Sequence, residues 1–278
     1  MVYNMRIGAE NMAFRTVGIW QNDGKPGVQV VARRLRAALE SKGMRVLPDC
    51  TRLDGCDLMM VLGGDGTFLH AFEAALPRDI PMLGVNLGRV GFLSEIQPDH
   101  LEQDVELLAS GQYVIESRML LEALTASGQK AFALNEVAFN RSDSSVGVLS
   151  LSVSANGGMV DRFSGDGLIV ATPTGSTAYS MAAGGPIVAP GLDCMLLTPI
   201  CPHTLAARPI VISDRQVVSV SILGDKRRAR VIIDGRYVIA PDEGAVTVRR
   251  ADRNIRFVRL RPYSFFELLR GKLSDWTE

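Results

Sequence analysis

Short apolar runs alternate with stretches of helical spacing over roughly the first 118 residues of the chain. The predicted strands are residues 15–20, 44–48, 57–62 and 80–86. The predicted helices are residues 27–42, 67–76 and 98–109, in which apolar side chains recur every three or four positions. Strands that are apolar throughout indicate a sheet covered on both faces. The alternation therefore predicts an α/β domain with a doubly wound, largely parallel sheet.

The pattern changes near residue 118, where short, nearly alternating segments separated by turn residues begin. Residues 131–139 are typical of one such strand, and residues 174–184 are the one helical stretch expected among them. The tail returns to helical spacing and is expected to pack on the first domain. We therefore predict an α/β domain at 1–118, joined by a C-terminal helix at 262–278, and a β-rich second domain at 119–261.

Composition narrows the functional classes. The 278 residues are 47% hydrophobic, and 30 basic side chains balance 30 acidic ones, so charge gives no reason to expect nucleic acid or an anionic membrane as partner. No apolar stretch approaches the roughly 20 residues that span a bilayer. The start has no apolar core typical of a secretion signal, which favours a cytoplasmic protein with residues 1–13 as a disordered extension.

Cysteine and histidine are sparse. The four cysteines form no Cys-x-x-Cys pair, and reduced thiols are expected for all of them. The three histidines do not pair with cysteine or with each other at the spacing of a zinc site, so we expect no structural zinc.

The first candidate motif is Gly-Gly-Asp-Gly-Thr at 63–67, between an apolar strand and a helix. Ligands bind open α/β sheets beyond the carboxyl ends of the strands, and glycines let a phosphate approach the backbone. Asp65 in such a loop suits a magnesium ligand or a base that receives a hydroxyl proton, whereas a plain turn would also use Gly and Asp. His70, one turn into the helix, could contact a phosphate or lie on the surface.

The second candidate is the polar pair Asn135-Glu136, inside an otherwise apolar strand. Alternation would turn one of the two inward, where ribose hydroxyls would be suitable partners. An edge strand with both side chains in water is an equal alternative.

The third candidate is the run from Asp166 to Ser180, in which a short strand leads into a turn rich in hydroxyl groups and then into a helix. Small residues allow close approach, Ser and Thr offer hydrogen bonds, and Tyr179 offers a flat stacking surface. This composition suits a nucleoside. Thr174 or Ser176 could equally serve as an ordinary helix cap, and capping does not exclude binding.

These motifs, in this order, resemble those of bacterial NAD kinases. The resemblance rests on residues 63–67, Asn135-Glu136, Asp166-Gly167 and the run TPTGSTAYSMAAGGPI at 172–187, with further likeness at 86–95 and 202–211. It implies an enzyme that phosphorylates the 2′-hydroxyl of the adenosine ribose of NAD. ATP or another donor and a divalent metal, Mg²⁺ or Mn²⁺, are implied with it, as is a homodimer or homotetramer in which a neighbouring subunit completes the site.

The resemblance also implies residue roles. Asp65 would be the catalytic proton acceptor, Asn135 and Glu136 would hold ribose hydroxyls, and Asp166 would hold NAD. The residues expected to bind NAD or the nucleoside triphosphate are Gly63, Gly64, Asp65, Gly66, Thr67, His70, Asn135, Glu136, Asp166, Thr174, Thr177, Ala178, Tyr179 and Ser180. The chain departs from the family pattern at Arg236, where many relatives have glutamine, and at Ser164, where many have a basic residue.

Two other functions share parts of this pattern. A lipid or sugar kinase can carry a similar glycine loop, although the run at 172–180 favours NAD. A nucleotide-binding regulator could use the same pocket, although binding alone does not require a carboxylate beside phosphates. Whether Asp65 acts as a base or through the metal stays open at this point.

Overall fold

The computed structural model describes residues 14–48, 52–88, 91–142, 147–239, 244–262 and 264–275. The chain divides into two compact units, residues 1–117 with 255–278 and residues 118–254. The extension expected at residues 1–13 and one cysteine, Cys50, lie outside the described residues. The other three cysteines are free thiols.

The first unit is built on parallel strands. Its N-terminal elements are β1 (Thr16–Gln21), α1 (Val28–Ser41), β2 (Arg45–Val46), β3 (Leu58–Leu62), α2 (Asp65–Ala75), β4 (Met82–Val85), β5 (Ser94–Ile96) and α3 (Leu101–Ala109). The strand order is β2-β1-β3-β4, with β5 beside β4, and every one of these pairs is parallel. The predicted parallel α/β sheet is confirmed.

Helices cover both faces of this sheet. All five residues of β3 are buried, and Leu58, Met60 and Leu62 belong to an apolar cluster with residues of α1 and α3. The side chains between them point to the opposite face. There α2 packs, and a Cβ placed on Gly84 of β4 would lie 3.3 Å from the Phe68 ring of that helix. Burial on both faces explains why β3 is apolar throughout.

The second unit is antiparallel. The elements that follow α3 along the chain are β6 (Val114–Leu124), β7 (Lys130–Ala133), β8 (Glu136–Arg141), β9 (Leu149–Ala155), β10 (Gly158–Gly165), β11 (Gly167–Ala171), α4 (Tyr179–Ala182), β12 (Cys194–Ile200), β13 (Ile210–Ser213), β14 (Val218–Leu223), β15 (Ala229–Ile233), β16 (Tyr237–Ile239) and β17 (Val246–Arg259). Six of them form a sheet in the order β13-β12-β11-β8-β15-β16. A second layer contains β10, β9, β14 and the start of β17.

The main core of this unit lies between the two layers. Phe139 and Val170 of the six-stranded sheet join one apolar cluster with Leu151 and Val220 of the other layer. The opposite face of the same sheet is also covered, since Ile169 belongs to a second buried cluster. Strand β11 is therefore buried on both faces, which is why it is apolar throughout rather than alternating.

Two predicted elements of this unit are wrong in detail. Residues 131–139 form two strands, β7 and β8, separated at Leu134 and Asn135. The helix expected at 174–184 is a 3₁₀ turn, Thr174–Thr177, followed by the short α4. Ala178 separates them because its backbone (φ −101°, ψ −128°) is not helical.

The C-terminal segment belongs to the first unit. Phe257 of β17 pairs in parallel with Met82 of β4, and α5 (Phe265–Asp275) follows. The Lys272 ammonium on α5 lies 5.9 Å from the centroid of the Phe92 ring. Among the described residues, no helix combines the length and the apolarity needed to cross a bilayer.

Candidate active site

Asp65 is the first residue of α2, directly after the extended N-cap Gly64. The sequence placed it in a loop before a helix beginning at residue 67, and this boundary is wrong because the helix takes in Asp65 and Gly66. A carboxylate in the first helical turn is stabilised by the helix dipole and by the N–H groups that lack helical partners there.

A second segment fixes the Asp65 carboxylate. The backbone N–H of Phe92 donates to Oδ2 at 3.0 Å, and that of Leu93 donates to Oδ1 at 3.1 Å. Gly91, just before them, leaves no room for a side chain, since a Cβ there would lie 2.1 Å from Asp65 Oδ1. Each oxygen accepts one bond and retains capacity for another, so the carboxylate is held in place and still able to contact a substrate.

The remaining candidates of the first motif surround this helix start. Gly64 is half-buried and Gly66 is exposed, whereas Gly63 and Thr67 are buried. The N–H of Thr67 closes onto the Gly64 carbonyl at 2.9 Å. His70 lies on the exposed side of α2.

In the second unit, Asn135 and Glu136 stand where the predicted strand is interrupted. A buried carboxylate from a distant turn, that of Asp234, accepts three consecutive backbone N–H groups there. Leu134 donates to Oδ2 at 2.8 Å, and Asn135 and Glu136 donate to Oδ1 at 2.8 and 2.9 Å. The interruption therefore has a specific cause, which is a side chain that replaces the strand's hydrogen-bond partners.

Asp234 occupies the turn between β15 and β16. It has φ 49° and the next residue, Gly235, has φ 68°, the signature of a type I′ turn, which Arg236 closes by donating its N–H to the Ile233 carbonyl at 2.9 Å. An Asp-Gly pair between two apolar runs is a hairpin signal in the sequence. Of the residues in this turn, the family pattern singles out only Arg236.

Glu136 is buried, with 5% of its surface exposed, so the edge-strand alternative with both polar side chains in water is wrong. Burial, and then the neighbouring Asp234 carboxylate, raise the pKa of Glu136 to about 8, against the effect of a hydrogen bond from the Tyr179 backbone N–H. Burial also raises the pKa of Asp234 to about 6, opposed by its three N–H donors and by Arg236. Near neutral pH, Asp234 is therefore the charged acceptor and Glu136 retains its proton.

The Asn135-Glu136 pair and the run at 172–180 are joined directly through Thr172. Its hydroxyl donates to the Leu134 carbonyl at 2.6 Å, and its N–H donates to the Asn135 carbonyl at 2.8 Å. The same hydroxyl accepts the Gly175 N–H at 3.0 Å. Gly175 lies so close to Asn135 that a Cβ on Gly175 would be 2.1 Å from the backbone carbonyl oxygen of Asn135.

The hydroxyl-rich run contains both buried and exposed candidates. Thr174 is buried and accepts a hydrogen bond from the Arg118 guanidinium at 3.1 Å. Ser180 is buried and bonded to Thr198 at 2.9 Å. Thr177 and Ala178 are half-buried, and Tyr179 is 38% exposed.

Neither Thr174 nor Ser176 caps a helix through its side chain. The Thr174 hydroxyl accepts from Arg118, and the Ser176 hydroxyl pairs with the backbone of Val188.

Asp166 is not with the other candidates of this unit. Strands β8 and β11 are antiparallel, with Glu136 opposite Ala171 and Asn140 opposite Gly167. Asp166 therefore lies beyond the opposite end of β11, about 16 Å along the strand from the level of Glu136 at roughly 3.3 Å per residue. Its carboxylate is 3.6 Å from Nε of Arg141.

No group of three or more His, Cys, Asp or Glu side chains is arranged to hold a metal ion in the parts of the chain that the structure describes.

A carboxylate is thus fixed at a glycine-rich helix start of the kind that favours anions, on a parallel α/β unit accompanied by an antiparallel β unit. Residues 41–113 match the ATP-NAD kinase N-terminal domain, and residues 134–260 match the ATP-NAD kinase C-terminal domain. The chain belongs to the NAD kinase family, which phosphorylates NAD to NADP. The lipid- and sugar-kinase alternative is therefore wrong.

Individual NAD kinases are similar in sequence to this chain over most of its length. An NAD kinase of Heliobacterium modesticaldum is 40% identical over 282 residues, covering 94% of this chain and 99% of the relative. An NAD kinase of Desulforamulus reducens is 42% identical over 226 residues, covering 80% of this chain and 78% of the relative.

Solved structures have the same fold. An Archaeoglobus fulgidus NAD kinase in complex with ATP has a TM-score of 0.79 at 28% identity, covering 94% of this chain and 98% of that one. Yeast NADH kinase complexed with NADH has a TM-score of 0.84 at 23% identity, covering 94% and 88%.

Proposed function

We propose that this chain transfers a phosphoryl group from ATP to the 2′-hydroxyl of the adenosine ribose of NAD, and that Asp65 accepts the hydroxyl proton. Two backbone N–H groups hold the Asp65 carboxylate in one orientation, and this single observation carries the proposal. A ribose hydroxyl is a weak nucleophile near neutral pH, so a fixed carboxylate within hydrogen-bond reach lowers the barrier to its attack. The complex of the Archaeoglobus relative with ATP supports ATP as the donor.

The donor phosphates would lie against residues 63–67, where the backbone N–H groups at the start of α2 favour anions. His70, on the exposed side of α2, is available to contact them. A divalent cation supplies charge neutralisation on the transferred phosphates when bound. Mg²⁺ is commonly held by one or two carboxylates together with substrate phosphates, and Asp65 would lie beside the donor phosphates.

NAD would be held by the second unit. Asn135 and Glu136 would bind ribose hydroxyls, and the exposed ring of Tyr179 would stack on a base beside Thr177 and Ala178. Thr174 and Ser180 have buried, bonded hydroxyls, so they would support the shape of this surface from behind.

The position of Asp166 supports a homo-oligomer. Asp166 precedes the first residue of β11, whereas Glu136 pairs with Ala171 at the last residue of that strand. An Asp166 that binds NAD would therefore do so in the site of a second copy of the chain. We therefore propose a homodimer or homotetramer in which Asp166 of one copy completes the site of another. Light scattering at assay concentration tests this, and a fully active monomer would contradict it.

The decisive experiment supplies NAD, ATP and Mg²⁺ to the purified protein and measures NADP with an NADP-specific dehydrogenase. We expect turnover with Mg²⁺ or Mn²⁺ and none in excess chelator, with recovery when the metal is restored. Binding of NAD without formation of NADP would instead support a regulator, and undiminished turnover in chelator would refute the role of the metal.

A further inference from the structure

The Asp234 carboxylate takes no part in the proposed phosphoryl transfer, yet it is buried and both of its oxygens accept backbone hydrogen bonds. Three consecutive amides, those of residues 134, 135 and 136, donate to it at 2.8 to 2.9 Å. These three amides lie about 100 positions before Asp234 along the chain. Buried amides left without acceptors are costly, so this contact determines the path of the backbone at 134–136.

That backbone path sets where the Asn135 and Glu136 side chains point. Strand β8 begins at Glu136, and the Asn135 carbonyl accepts the Thr172 N–H at 2.8 Å. The segment is thus held between Thr172 on one side and Asp234 on the other. Without the Asp234 acceptor, the three amides would need other partners and the pair would shift.

We propose that Asp234 is a positioning residue for NAD: by accepting three backbone N–H bonds it holds Asn135 and Glu136 in the orientation that binds the ribose. This inference rests on the proposed function, because the pair binds ribose there.

Charge provides a second, independent link between Asp234 and Glu136. The charged group that acts on Glu136 is the Asp234 carboxylate, and the Tyr179 backbone N–H donates to Glu136. Arg236, in the same turn as Asp234, acts on the Asp234 carboxylate. Burial first, and the Asp234 charge second, keep the pKa of Glu136 high. Removing the Asp234 charge should therefore lower the pKa of Glu136.

Two variants weaken or remove the acceptor without straining the turn. Asparagine and glycine both tolerate the positive φ of residue 234. In Asp234→Asn, the amide nitrogen that replaces one oxygen is a donor, so at least one backbone N–H loses its acceptor. In Asp234→Gly all three amides lose it.

We expect the KM for NAD to rise about 10-fold or more in both variants, the factor given by the loss of one or two ribose hydrogen bonds. The KM for ATP should change less than about twofold, since the donor is proposed to lie on the other unit. A structural role alone would lower thermal stability or the active fraction without this selective rise.

The pH profile supplies the second readout. The KM for NAD of the wild-type enzyme is measured as a function of pH. An inflection that is present in the wild type and absent in Glu136→Gln reports the titration of Glu136. We expect this inflection to move to lower pH in Asp234→Asn.

Asp79→Asn is the matched control, because Asp79 has a similar positive φ of 52° and lies on the other unit, where it pairs with Arg256. It should leave the KM for NAD and the pH profile unchanged.

An unchanged KM for NAD in folded Asp234→Asn and Asp234→Gly, or an unmoved inflection, would overturn the inference. A wild-type protein that forms no NADP would instead overturn the proposed function, so the two failures are distinguishable.

Discussion

The contact between Gly91 and Asp65 permits a sharp test of the proposed catalytic carboxylate. In Gly91→Ala the new methyl group would lie 2.1 Å from Oδ1, 2.8 Å from Cγ and 3.1 Å from Oδ2 of Asp65. Normal carbon–oxygen contact requires roughly 1 Å more than the shortest of these distances, so the carboxylate or the 91–93 segment must move by about that amount. Alanine is otherwise compatible with position 91, since its φ lies outside the left-handed region.

The expected loss follows from this displacement. A shift of about 1 Å in a catalytic group can cost roughly 10²-fold in rate. The bonds from Phe92 and Leu93 to the carboxylate would weaken or break as well, which removes the orientation of Asp65. We therefore predict that kcat for NADP formation falls about 10²-fold, with little change in the KM for NAD, because NAD is proposed to lie on the other unit.

Gly88→Ala is the matched control. It lies in the same segment, and a Cβ there would meet nothing within 4 Å. The assay is NADP formation at saturating ATP and Mg²⁺, with circular dichroism to confirm folding. A kcat for Gly91→Ala within about threefold of wild type would refute the reasoning, because the factor expected from a 1 Å shift is far larger. An equal loss in Gly88→Ala would show that the segment is generally sensitive.

Two further substitutions test the carboxyl groups. Asp65→Asn should lower turnover roughly 10²–10⁴-fold, and more Mg²⁺ should not restore it if Asp65 is the base. The same change should lower the free energy of unfolding in denaturant by about 1–3 kcal/mol, because an amide nitrogen cannot accept the N–H of Phe92 or Leu93. Folding raises the pKa of Glu136 from an ordinary 4.5 to about 8, so the unfolded chain releases this proton first as the pH rises. Between pH 6 and 8 the free energy of unfolding of the unliganded wild type should therefore fall relative to Glu136→Gln, by at most about 1.4 kcal/mol per pH unit, and parallel curves would refute the buried neutral carboxyl.

The regular elements of the fold could be predicted because their signals are local. Strand β3 was expected at 57–62 and spans Leu58–Leu62, since an apolar run bounded by turn residues can be recognised without knowledge of its partners. The helix α1 was expected at 27–42 and spans Val28–Ser41, for the same reason. Parallel pairing followed from the alternation of the two types of element.

The details of the site depended on partners remote in sequence. Nothing near Asn135 indicates that the strand breaks there, because the cause is Asp234. The start of α2 was placed too late because glycine disfavours helix interiors, whereas Gly66 lies in the first turn, where that cost is small. The Asp65 contact with Phe92 and Leu93 was likewise invisible until the fold placed the two segments together.

The bonds of Asp234 also bear on when the site can form during synthesis. Its hydrogen bond to Leu134 closes a loop of 100 residues, and the bond from Thr172 to Leu134 closes one of 38. Loop-closure entropy grows only slowly with length, so neither loop is prohibitive once both ends exist. A nascent chain, however, lacks the carboxylate that orients Asn135 and Glu136 until residue 234 has left the ribosome. With NAD bound as we propose, the ligand would stabilise this unit only after residue 234 has been synthesised.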